Sequence, residues 1–226
     1  MGANTQEAIK KYRRNAADYD RKVAITKSVR ERAIAWLQLT PGQTVLDVGC
    51  GTGLSFPLLE NQIGERGHLM GIELSSDMLL RAEARVRREG WGNVTLIRAR
   101  ADEWIAPRPA DAILLHFTHD VLQSKPALEN ILRQARPGAT VVAAGVKWLP
   151  WWLMPLNIVL YFRIKAYLTT REGLGRPWAV LEEFLDDFRL QTALGGASYL
   201  VSGRVKAAKA AGRRTDTATD APDRSG

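Results

Sequence analysis

Cysteine occurs once in these 226 residues, at Cys50. A single thiol excludes an internal disulfide framework and gives no cysteine set for a metal, so the chain reads as one made for a reducing compartment. No export signal is visible. The opening "MGANTQEAIKKYRRNAADYD" lacks the apolar core of a secretory signal, and Gln6 stands where a myristoylation motif wants Ser or Thr, so cytoplasmic synthesis is the expectation. A spanning helix needs about 20 mainly apolar residues. The most apolar run, "KWLPWWLMPLNIVLYFRIKAYLTTREGLGRPW", is punctuated by Pro150 and Pro155 and closed by Arg163 and Lys165, which makes it a poor transmembrane segment. Internal repeats are absent. From Lys206 the chain is Ala, Thr, Asp and Arg with little to bury, so residues 206–226 are expected to be disordered.

Apolar residues make up 46% of the chain, enough for one full-sized core with a cap on it, but not for two large domains. The formal charge of +8 points to an acidic partner: nucleic acid, anionic lipid or an anionic small molecule. The first forty residues carry nine Lys and Arg against four acids. A binding surface and a solvated helix face explain that excess equally well.

Periodicity divides the chain. Residues 5–39 have helical spacing and predict an N-terminal helical cap over residues 1–40. Residues 41–205 then alternate. "TVLDVG", "HLMGIEL", "NVTLIRARA", "ADAILLHF" and "ATVVAAGV" read as strands, with helices expected near 55–62, 77–89 (opened by the capping "SSD") and 125–135, the last ending at "RPG". An apolar insert over 147–178 follows, then "AVLEEFLDDF" as an amphipathic helix and "QTALGGASYLVSGRV" as a closing hairpin. Short apolar strands alternating with helices predict an α/β fold, a doubly wound, mostly parallel sheet covered on both faces. Ligands bind such sheets beyond the carboxyl ends of the strands, where the winding reverses.

The glycines sit at that place. Asp47 is followed by Gly49, Gly51 and Gly53, and Leu54 stands where a dinucleotide fingerprint needs its third glycine. "LDVGCGTG" resembles the first motif of class I S-adenosylmethionine-dependent methyltransferases, and the resemblance extends from about Tyr12 to Val146. It implies a Rossmann-like methyltransferase fold with S-adenosyl-L-methionine as cofactor, the loop Asp47, Gly49, Cys50, Gly51, Thr52, Gly53 lying under the methionine part. Glu73, followed by Leu74, matches the acid that ends the second strand and accepts the ribose hydroxyls; a carboxylate offers two acceptor oxygens to two adjacent donors. Met78 reads as a helix core residue that also touches adenine. "RARADEW" resembles the segment that frames adenine, with Asp102 near its amine and Ala101 and Trp104 near its ring, and His116 ends the fourth strand beside the sulfonium. Cys50 reads as a small buried residue rather than a nucleophile, since no basic group stands close to it in sequence.

Methyl transfer from a sulfonium is an in-line displacement in which the enzyme mostly holds the acceptor close and aligned. No catalytic triad is needed, and the sequence shows no convincing nucleophile. His116, His119 and Asp120 are the candidates for a base; His116 and His119 have strand-end capping as their bland alternative. Tyr19 resembles the tyrosine that closes over the cofactor in related small methyltransferases, with simple packing as its alternative. The insert's Trp148, Trp151, Trp152, Tyr161 and Phe162 beside cations suit a membrane interface and a lipid-like acceptor, a phospholipid amine first, at an anionic inner membrane face. A buried lid or dimer interface over a soluble small molecule has equal weight. The plan resembles bacterial phospholipid N-methyltransferases and quinone-biosynthesis C-methyltransferases, so a quinone precursor is the alternative acceptor, and a non-catalytic donor-binding sensor is a further one. Nucleic acid is disfavoured: "HFTHD" stands where amino-directed nucleic-acid enzymes of this class carry "N/D-P-P-Y/F". The sequence does not give an oligomeric state.

Overall fold

A computed structural model describes residues 26–164 and 172–206. Tyr19, most of the basic N-terminal segment and all but the first residue of the expected disordered tail lie outside the described residues.

The elements are α1 (Lys27–Leu37), β1 (Thr44–Val48), α2 (Phe56–Ile63), β2 (His68–Glu73), α3 (Ser76–Glu89), β3 (Val94–Arg98), β4 (Ala110–His116), α4 (His119–Leu122), α5 (Lys125–Arg133), β5 (Ala135–Val146), α6 (Met154–Ile164) behind a 3-10 turn at Trp151–Leu153, α7 (Ala179–Glu182), β6 (Leu185–Ala193) and β7 (Ser198–Val205). They form a seven-stranded sheet in the order β3-β2-β1-β4-β5-β7-β6. β1 to β5 pair in parallel, and β7 runs antiparallel between β5 and β6. The expected doubly wound, mostly parallel sheet is therefore present. Its winding reverses between β1 and β4, so the site lies at the carboxyl ends of those two strands.

The period of two along each strand decides which residues meet which helices. Val45 of β1 and Ala112 and Leu114 of β4 pack with Ile34 of α1 and Phe56 and Leu59 of α2 on one face. Leu46, Val48, Ile113 and Leu115 pack with Leu128 and Ile131 of α5 and with Trp178 and Leu181 on the other. By the same alternation Asp47 and His116 belong to the face covered by α1. That placement matters for the site.

Ser75 caps α3 through its hydroxyl, which accepts from Met78 N at 3.4 Å, and Gly90 ends the helix in the left-handed region at φ 71°. Ser75→Ala is expected to cost about 1 kcal/mol of stability in urea unfolding, the usual worth of such a cap.

Two elements differ from the sequence expectation. "RPG" does not separate α5 from β5: Ala135 already pairs with Ala110, and the next aligned pair is Ala112 with Thr140, so residues 136–139 bulge out of the ladder. Pro137 has no N–H to give a ladder, and the bulge accommodates it. "AVLEEFLDDF" is one helical turn followed by β6, not one amphipathic helix. Its apolar period did mark buried positions, since Leu181 and Leu185 are core and Phe184 and Phe188 pack against it. Antiparallel pairing with β7 overrode the helical spacing, with an irregularity between Asp186 and Arg189 and Asp187 at φ 53°. The expected closing hairpin is present as β6 and β7 about a turn at Leu194–Gly196.

Candidate functional site

β1 ends inside the protein, and the chain turns back sharply into α2. Gly49, Gly51 and Gly53 all lie at positive φ, 64°, 58° and 74°, which L side chains rarely adopt. Their surroundings differ. A Cβ on Gly49 would come within 2.6 Å of Thr118 Cγ2, and one on Gly53 within 2.7 Å of the Phe56 ring, whereas one on Gly51 would meet nothing within 4 Å. Protein therefore closes on the two outer glycines. Only the middle one leaves bare backbone open to a ligand.

Glu73, at the end of β2, is fixed over that middle glycine. Its Oε2 accepts from Gly51 N at 3.0 Å and its Oε1 from Ser75 N at 2.8 Å. Each oxygen keeps a second lone pair for a hydroxyl donor. Burial pushes its carboxyl up from the usual range, and the amides of Ser75 and Gly51 pull it back.

A small pocket of about 30 Å³ lies beside the loop, lined by Arg30, Asp47, Gly49, Cys50, Thr52, Leu54, Ser55 and His116. That is room for about two or three waters, the size of an amino acid's charged head. Asp47 is 2% exposed, and its Oδ2 is buried with no hydrogen-bond partner among the described residues. Burial raises its pKa to about 7; Arg30 works against that and Glu73 adds to it. Arg30 reaches the pocket from α1, itself only 8% exposed. A buried carboxylate and a buried guanidinium facing one small polar cavity match an ammonium and a carboxylate on one ligand.

His116 borders the same pocket from β4. Burial, then Arg30, lowers its pKa to about 3, and its Nε2 has no hydrogen-bond partner among the described residues. The imidazole is neutral throughout the physiological range. Phe117 follows at φ 61°, a strained conformation for a side chain of its size, with its N–H on Ala144 O at 2.8 Å and its ring edge-on to His116 at 4.7 Å. The turn out of β4 is thus held rigidly just where the strand meets the pocket.

The structure brings Asp47, Gly49, Cys50, Thr52 and His116 together and links Gly51 to Glu73. Other expected residues stand elsewhere. Trp104 is 5% exposed and packed into the core under β4, so little of its ring is left for adenine. Ala101 packs against the same core, and its carbonyl accepts from Asn130 Nδ2 at 3.0 Å. Both oxygens of Asp102 accept from Arg100, at 3.0 and 2.6 Å, which keeps its carboxyl below the usual range. Met78 is 2% exposed, a core position, and Leu74 is half-buried with its carbonyl on Arg98 Nε. His119 is turned away to Glu172 O, 2.8 Å from its Nε2. Cys50 is buried, and that burial holds its thiol well above its ordinary pKa, so it stays protonated. Arg30 is the residue that sequence reasoning missed. Its signal was there: a cation at the position after the buried Val29, on the apolar stripe of α1 rather than its polar face.

Residues 45–138 of the chain match the family described as "Methyltransferase domain". Among curated proteins it is similar to the ubiquinone/menaquinone biosynthesis C-methyltransferase of Vibrio cholerae, 31% identical over 105 residues, 45% of this chain and 40% of that protein. It is also similar to the demethylmenaquinone methyltransferase of Listeria welshimeri, 28% identical over 138 residues, 59% of this chain and 58% of that protein. The chain thus spans about half the length of the curated relatives it matches. In fold it resembles the N-methyltransferase NodS of Bradyrhizobium japonicum in complex with S-adenosyl-L-homocysteine, with TM-score 0.63, 16% identity and coverage of 88% of this chain and 98% of that one.

Proposed function

We propose that this chain transfers a methyl group from S-adenosylmethionine to an apolar small molecule of the quinone-precursor kind. The observation that carries the donor half is Asp47, a buried carboxylate with one oxygen unpartnered among the described residues, facing Arg30 across a pocket sized for an amino acid's head. Those residues fit the donor: Asp47 would accept from its ammonium, Arg30 would hold its carboxylate, Gly51 would let it lie against the backbone, and Glu73 would accept from its ribose hydroxyls. When bound, the donor supplies an electrophilic methyl on a good leaving group.

The chain's own residues then hold and align. His116 is a poor base, because taking a proton from a phenol-like hydroxyl with a pKa near 10 would run about seven units uphill, roughly 10 kcal/mol. It serves instead as a neutral hydrogen-bond acceptor that orients the acceptor molecule. His119, with Nε2 committed to Glu172 O, fastens α4 to the returning insert rather than taking part in chemistry. The similarity to quinone-pathway relatives supports the quinone-precursor alternative over the phospholipid amine.

Arg30→Met is expected to weaken S-adenosylhomocysteine binding by about tenfold or more in calorimetry, the loss of one charge-assisted contact. Turnover is read as formation of S-adenosylhomocysteine with a hydroquinone bearing an apolar side chain. Donor binding without turnover on hydroquinone acceptors would overturn the acceptor assignment; unchanged affinity in Arg30→Met would overturn the placement of the donor's head.

A further inference from the structure

The segment between β5 and α7 is closed at its neck. Trp148 N donates to Leu174 O at 2.8 Å, Gln123 Nε2 donates to Pro177 O at 3.0 Å, and His119 holds Glu172 O. Beyond the neck, α6 is built the wrong way round for a helix in water. Its Asn157 is buried, with the side-chain carbonyl accepting from Leu149 N and the amide donating to Leu149 O, both at 2.9 Å. Its Met154, Leu156, Ile158 and Val159 are each more than half exposed, and Trp151 and Trp152, edge-on to each other just before it, are 79% and 65% exposed. Single exposed apolar residues are ordinary, but six in nine positions around one inward-facing polar anchor form a contiguous patch made for contact.

We infer that the exposed apolar face of α6 and of the turn before it, residues 151–159, docks on the surface of an anionic lipid bilayer, with Trp151 and Trp152 seated at headgroup level. Charge selects the occupant. Between residues 147 and 178 the sequence carries Lys147, Arg163, Lys165, Arg171 and Arg176 against Glu172 alone. Arg176 is paired with Glu182 at 2.9 Å, and the remaining four cations outnumber the single acid in this stretch of sequence. A second copy of the chain would bring like charges together, whereas anionic headgroups complement them. No helix among the described residues is long and apolar enough to cross a membrane. An eleven-residue helix with tryptophans at its entry instead lies in the interfacial plane. The surface has its use only if the acceptor is apolar, as proposed above, but the docking itself is independent of turnover.

The test is flotation of the full chain with vesicles of phosphatidylcholine alone or mixed with phosphatidylglycerol, at low and high salt. The chain is expected to float with the mixed vesicles and not with phosphatidylcholine alone. A Trp151→Ala, Trp152→Ala variant is expected to lose about tenfold or more of that affinity, while binding S-adenosylhomocysteine as the parent does, which shows it folded. Absence of binding to the mixed vesicles, or full retention by the double variant, would overturn the inference. So would a dimer seen by light scattering that the two substitutions dissolve without change in vesicle binding. Loss of donor binding in the parent chain would instead count against the methyl-transfer reading.

Discussion

Asp47→Asn is expected to weaken donor binding by about a hundredfold while making the ligand-free protein more stable at about pH 8, because one carboxylate drives both effects with opposite signs. Its folded pKa of about 7 stands above the ordinary 3.8. Stability contributed by a group of this kind is fully present below the unfolded pKa and is lost as pH rises through the folded one. Between about pH 4 and pH 7 that loss amounts to roughly 4 kcal/mol, with the attraction of Arg30 already inside the sum. Asparagine carries no such charge, so its variant should melt higher at about pH 8 and show a flatter pH profile. Binding runs the other way. A ligand ammonium favours the ionised carboxylate, so parent affinity should fall as pH drops below about 7, by up to tenfold per unit, and the asparagine variant should lose that dependence. Calorimetry of S-adenosylhomocysteine across this range, beside thermal melts, decides it. Equal affinity in both proteins would place the donor's head elsewhere.

Glu73→Ala carries the second large effect. It removes the two acceptors assigned to the ribose and also frees the amides of Gly51 and Ser75, which the carboxylate now holds at 3.0 and 2.8 Å. Leaving such donors unpaired costs about 1–3 kcal/mol each. Donor affinity is expected to fall by about a hundredfold or more, with a lower melting temperature. Glu73→Gln separates the two roles. It keeps an acceptor for one amide but turns a donor toward the other or toward the ribose, so its affinity should stay near that of the alanine variant while much of the stability returns. Parent-like binding by glutamine would show that the charge-bearing pair of oxygens is not what grips the sugar.

Much of the fold was legible because parallel strands buried on both faces are written as short apolar runs, and the five runs read from the sequence match β1 to β5. The first half of β6 was not legible: Leu181, Phe184, Leu185 and Phe188 have helical spacing, and only pairing with β7 decides that the chain from Leu185 is extended. The glycine loop and Glu73 were legible as a spacing, since they lie within one strand-turn-helix unit and the next strand. Arg30 was not, because its place beside Asp47 follows from α1 crossing the sheet on the Val45 face, a long-range fact. The surroundings of Trp104 and Asp102 were not legible for a related reason. Their segment was matched by position along the chain, while the core claimed the indole and a neighbouring arginine claimed the carboxylate.

The neck at Trp148 and Leu174 has a consequence for how such a chain could be re-engineered. Because one backbone bond and two side-chain clasps bring the ends of the excursion together, everything between them is a cassette. Transplanting a different cassette onto the same clasp should redirect which molecule the proposed transfer serves while leaving the proposed donor site, formed by α1, the ends of β1, β2 and β4 and the glycine loop, as it was.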